Sequence, residues 1–129
     1  MPIETYTDTP YKPFKEAVLD ALLNKEGYLV ELGTASDTVQ IATSANNAIG
    51  VLVKKDQGNP HVNVRLLGKG GSVKVVAGGV IAKGANVGWA SGGKVVTLAT
   101  GNTLGRKLTQ GSSADNDVIE IVDAFRTIA

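Results

Sequence analysis

An internal repeat constrains this chain more than any other feature. Gly27 and Gly84, Val30 and Val87, Val39 and Val96, and Ile41 and Leu98 each lie 57 positions apart. The spacing falls to 55 between Gly50 and Gly105 and returns to 57 between Val62 and Ile119. One two-residue gap, compensated in the next loop, accounts for both changes. In each copy an apolar residue and a glycine, Ile49-Gly50 and Leu104-Gly105, come just before a further strand. A fixed period of this length marks a duplicated supersecondary unit. The expectation is two similar β-meanders, about 27–67 and 84–122, facing each other around one core.

The rest of the chain fits a mainly β fold. Short β-rich segments such as TVQIAT (38–43), AIGVLVKK (48–55), HVNVRLL (61–67), SVKVV (72–76) and VIEIVDAF (118–125) are cut by separators rich in Gly, Asn, Asp and Ser. Such separators supply the positive φ angles and capped turns of tight reversals. Many short strands at near-regular spacing predict a compact barrel or sandwich of antiparallel strands. No strand–helix alternation recurs, which argues against a parallel α/β sheet. One helical pattern stands apart. Pro13 suits a first helical turn, and Phe14, Ala17, Val18, Ala21 and Leu22 share one face, so a short helix is expected over 13–24. Residues 1–12 (MPIETYTDTPYK) read as an extended N-terminal arm, and 13–129 as a single β-rich domain. Ile3, Thr5, Thr7 and Thr9 alternate with Glu4, Tyr6 and Asp8 at strand period. That period suits pairing with another chain's sheet edge, and a frayed terminus is the plainer reading.

Composition excludes several chemistries. The 129 residues include no cysteine and a single histidine. Disulfides, thiolate metal sites, iron–sulfur clusters and a cysteine nucleophile are therefore impossible, and a multi-histidine metal centre cannot be built. No metal and no cofactor are expected. Thirteen Lys+Arg against 12 Asp+Glu leave a net charge of +1. So small a charge gives no field for nucleic acid or an anionic membrane, and neither is expected as a partner. No stretch approaches the ~20 apolar residues of a membrane helix, and the N-terminus lacks the apolar core of a signal peptide, so a soluble protein made in the cytoplasm is expected.

Individual residues add little chemistry. His61 follows Pro60 in a turn, with no nucleophile motif around it. Gly68-Lys-Gly-Gly71 lacks the following helix of a phosphate loop and reads as a hairpin turn. Asp115, Asn116, Asp117 and Glu120 read as a solvated turn rather than a calcium loop. Lys54-Lys55 reads as protection of a strand edge. Trp89, between Gly88 and Ala90, reads as core or subunit contact. With no catalytic constellation, binding or assembly is expected rather than enzymatic turnover.

The segment from Gly70 to Gln110, followed by Gly111-SSADNDVIEIV, resembles the head decoration (capsid cement) proteins of tailed phages. The residues carrying the resemblance are Gly78-Gly79, Lys83-Gly84, Val87, Gly93-Lys-Val-Val96, Leu104-Gly105 and Ala114-Asp-Asn-Asp117. The resemblance implies a virion structural protein on the capsid exterior that stabilises the assembled head. It implies a homotrimer at three-fold positions with the major capsid protein as partner. Residues 1–12 then become the capsid-binding arm, with Ile3, Thr5, Tyr6, Thr7 and Tyr11 as contacts and Trp89 as a candidate subunit contact. The competing expectation is a small β-barrel binding a small ligand or carbohydrate, with Trp89 and a tyrosine in its mouth.

Overall fold

The computed structural model describes residues 10–44 and 47–128. Its first five strands are β1 (Tyr11–Glu16), β2 (Leu29–Leu32), β3 (Thr38–Ile41), β4 (Ala48–Lys55) and β5 (His61–Leu66). They close into a barrel in the order β1-β3-β2-β4-β5, with β5 returning to β1. All pairings in it are antiparallel except β1 with β3. Alternation along the strands turns Phe14, Val30, Val39, Leu52, Val62 and Val64 inward, where they form one buried cluster with Leu22.

The remaining strands are β6 (Ser72–Val76), β7 (Asn86–Trp89), β8 (Val95–Thr97), β9 (Gly101–Thr103), β10 (Gly105–Arg106), β11 (Val118–Val122) and β12 (Arg126–Ile128). The repeat is visible as structure. Adding 57 to the bounds of β2 gives those of β7, and the starts of β3 and β5 become those of β8 and β11. Val30 faces Gly50, and their counterparts Val87 and Gly105 also face each other. β6 pairs with β11 as β1 pairs with β5, with Val75 opposite Ile119 where Phe14 is opposite Val62. Single bridges, Ala77 to Val95 (parallel) and Lys107 to Ile121, link these pieces into the strand order of the first barrel. Each copy therefore begins one strand earlier than the sequence suggests, at β1 and at β6.

The repeated glycine has a steric cause. A Cβ on Gly50 would lie 2.6 Å from the Arg65 carbonyl oxygen, and one on Gly105 would overlap the Val122 carbonyl oxygen. Arg65 and Val122 are themselves 57 apart. In both copies a strand crosses the same spot too closely for any side chain.

Two expectations about the copies are corrected. The copies are not meanders, because β2 lies between β3 and β4. They do not share one core: the described buried apolar residues form two clusters, one inside the first barrel and one centred on the second copy. The second cluster also takes in Leu29, Ala42 and Val51 from the outside of the first barrel.

The helix expected over 13–24 is replaced by β1 and a run of turns, and the boundary at 12/13 falls inside that strand. Pairing with β5 and β3 overrides the local periodicity. Asp20 and Asn24 adopt φ angles of 60° and 64°, which no right-handed helix accommodates. Val18 and Leu19 are exposed. The Glu16 carboxylate accepts the N–H groups of Asp20 and Leu22, both at 2.9 Å, and so organises the turns that a helix would otherwise have filled.

Candidate functional site

A groove with a cavity volume of about 420 Å³ lies between the two copies. One wall is the outside of β4 and β5, with Val51, Val53 and Arg65. The other is β6 and β11, with Ser72, Lys74, Val118 and Glu120. Gly27 closes the floor, its carbonyl accepting the Val76 N–H at 3.1 Å. Tyr11, Val53 and Val118 leave apolar surface open to solvent in the groove; they are 50%, 41% and 60% exposed.

Sequence reasoning placed Tyr11 in the arm. The structure places it in β1, opposite Arg65, and at the groove. Its neighbour Pro10 is tied to the barrel by its carbonyl, which accepts the Leu66 N–H at 2.6 Å. Ile3, Thr5, Tyr6 and Thr7 lie outside the described residues. Trp89 is half-buried against the second cluster, and its indole N–H donates to the Ala42 carbonyl of the first copy at 3.0 Å. Its polar handle thus joins the two copies within one chain, and the ring lies away from the groove lining.

Charged residues join the parts in ways the sequence did not announce. Lys55, read as edge protection, has a wholly buried side chain. Its ammonium lies 2.9 Å from Glu16 Oε1 and 2.8 Å from Asp20 Oδ1, and donates to the carbonyls of Asp56 and Asn59. The cluster fastens the β1–β2 turns to the β4–β5 turn. The Lys55 hydrogen bond, with the Gly58 N–H behind it, holds the Asp20 carboxyl below its ordinary range. Burial pulls the Lys55 ammonium down. The hydrogen bonds and charges of Asp20 and Glu16 outweigh burial and hold Lys55 above its ordinary range. Glu31 is also held low, first by the Thr43 N–H and also by Gln40.

Gly68–Gly71, expected as a hairpin turn, instead connects the two copies, since β5 and β6 do not pair. Asp123 holds it: its carboxylate accepts the N–H groups of Gly68 (2.9 Å) and Lys69 (3.0 Å) and binds Arg65 at 2.5 Å. Residues 114–118 are exposed, as a solvated turn should be. Among the described residues no group of three His, Asp or Glu is placed to hold a metal ion, and no helix is long and apolar enough to cross a membrane.

The site is thus an apolar groove beside Tyr11, on a body whose parts are fixed by buried ion pairs. Comparison with protein-family models and with curated proteins returned no match.

Proposed function

We propose that this chain is a non-enzymatic virion protein that binds the outer surface of an assembled phage head and stabilises it. The observation that carries the reading is the glycine-turn phrase from Gly78 to Asp117, with its resemblance to capsid decoration proteins. The fold adds a physical rationale. Pro10, which follows the proposed arm in sequence, is fixed to a closed barrel through the Leu66 hydrogen bond. A protein that binds only the assembled shell stabilises that state by mass action. Assembled as a homotrimer at three-fold positions, it would bring three such segments to the major capsid protein, and weak single contacts would gain from effective concentration.

The test is co-sedimentation with phage heads lacking the protein. Saturable binding with raised resistance of the heads to heat is expected. Absence of binding to any assembled head sinks the reading. Deleting residues 2–9, which spares β1, should weaken that binding at least ten-fold; unchanged binding would remove the arm from the mechanism.

A further inference from the structure

β6 has an open edge, and it faces the groove. In the β6–β11 ladder, the Ala77 N–H points toward β11, bonding the Asp117 carbonyl, whereas the Val76 N–H points the other way, to Gly27. By alternation the N–H and C=O groups of Ser72 and Lys74 also point away from β11, toward the groove. They have no backbone partner among the described residues. Two such positions, ~6.8 Å apart, are what an added strand uses. The first copy offers no such pair: the counterpart of Lys74 there is Pro13, which has no N–H to give.

The two faces beside this edge differ in chemistry. Val73, on the core face of β6, and Val51 and Val53, on the outside of β4, line the groove together. A strand added to β6 would lay every second side chain on these valines and turn the others outward, beside Lys74. Four charged side chains line the groove. Arg65 is paired with Asp123, Glu26 accepts the Lys55 N–H at 3.2 Å, and Glu120, opposite Lys74 in the ladder, accepts the Ser72 hydroxyl at 2.6 Å. Lys74 is the one of the four with no hydrogen-bond or ionic partner among the described residues. A lysine on an open edge discourages indiscriminate pairing. An acidic residue opposite it removes that obstacle.

We propose that the β6 edge binds an extended segment of a different protein, in which an acidic residue stands between two aliphatic ones. The acidic residue lies opposite Lys74, and its neighbours cover Val51, Val53 and Val73. A second copy has no described segment of this kind to give. Its described acidic residues with apolar neighbours on both sides are Asp20, Glu31, Glu120 and Asp123. Glu31 and Glu120 lie in strands bonded on both edges. Asp20 sits in a turn at φ 60° with its carboxylate on Lys55, and Asp123 clasps the connector between the copies. The inference goes beyond the decoration reading, and its test uses no phage head.

The test is amide hydrogen exchange at Lys74 in the full chain. The probe is acetyl-Thr-Val-Glu-Val-Thr-amide, and the control is its basic counterpart, acetyl-Thr-Val-Lys-Val-Thr-amide. Occupancy slows exchange by one plus the ratio of free peptide to Kd, so a slowing of about ten-fold at about 5 mM acidic peptide reads a Kd of about 0.5 mM. That slowing, with under about two-fold from the basic peptide, is expected. In Lys74→Glu the preference should reverse at position 74, while the Val75 and Ile119 amides stay protected and report an intact ladder. No slowing by the acidic peptide overturns the proposal, as does equal slowing by both. Protection present without peptide and lost on diluting the chain overturns it in favour of a second copy.

Discussion

The two copies of the repeat share a strand order and differ in how they are finished. The first is a closed barrel with an apolar cluster inside it and the Lys55–Glu16 pair buried on β4 and β1. The second is held by single bridges at two junctions and packs against the outside of the first. The difference lies in a few substitutions at equivalent places. Leu29 and Val51, buried between the copies, correspond to Asn86 and Arg106, and Arg106 is exposed. Leu52, inside the first barrel, corresponds to Lys107, whose buried ammonium donates to the Ile81 and Gly111 carbonyls at 2.8 and 2.7 Å. A duplicated plan becomes one molecule when one copy turns an outer face apolar and the other keeps its own polar.

The comparison breaks hardest at the shared glycine. Gly105→Val should cost about 3 kcal/mol or more, because the obstacle is the Val122 backbone rather than a movable side chain. Denaturant titration measures it, and a loss under ~1 kcal/mol would show that the crossing of β10 and β11 is slack. Next is the face between the copies. Leu29→Ala should cost about 3 kcal/mol, whereas Arg106→Ala at the exposed counterpart of Val51 should stay within about 0.5 kcal/mol. The Leu29 variant should destabilise the second copy's amides as well as the first's, read by hydrogen exchange. If only the first copy loosens, the copies are independent.

The third prediction concerns pH. Asp20 is held low in the folded state, so its contribution is present above about pH 4 and is lost as pH falls through its folded value. Lys55 is held high, so its contribution is present below about pH 10 and is lost as pH rises through its folded value. Protease nicking of the 17–26 turns should therefore rise at both extremes, and Asp20→Asn should flatten the acid limb. An acid limb unchanged in Asp20→Asn would contradict the assignment. The smallest effect belongs to Trp89→Phe, which removes one hydrogen bond to Ala42 and should cost about 1 kcal/mol in thermal melts.

Much of this was legible in the chain. The segments 48–55 and 72–76 are strands with the bounds their alternation suggests, and the 57-residue period appears as matched strand ends. What was hidden is long-range. Phe14 to Leu22 has helical spacing, and only the partners of β1 and the carboxylate of Glu16 decide against it. Lys55 looks like an ordinary exposed lysine until Glu16 and Asp20, more than 30 positions earlier, are brought to it. Of the site, Tyr11 was read as part of an arm and lies instead in β1, at the groove. The groove itself was invisible, because its walls come from both copies and periodicity carries no information on how they pack.

The clasp at Asp123 has a consequence for synthesis. The connector at Gly68–Gly71 is fastened by a carboxylate made more than 50 positions later. At ~5–20 residues per second, the closed first barrel waits ~3–12 s on the ribosome before its hinge to the second copy can be locked. During that interval the buried face of Leu29 and Val51 is bare, which makes it the surface a chaperone would meet on a nascent chain arrested before Asp123. Crosslinking from position 51 in such arrested chains, lost once Asp123 has cleared the exit tunnel, would register the wait.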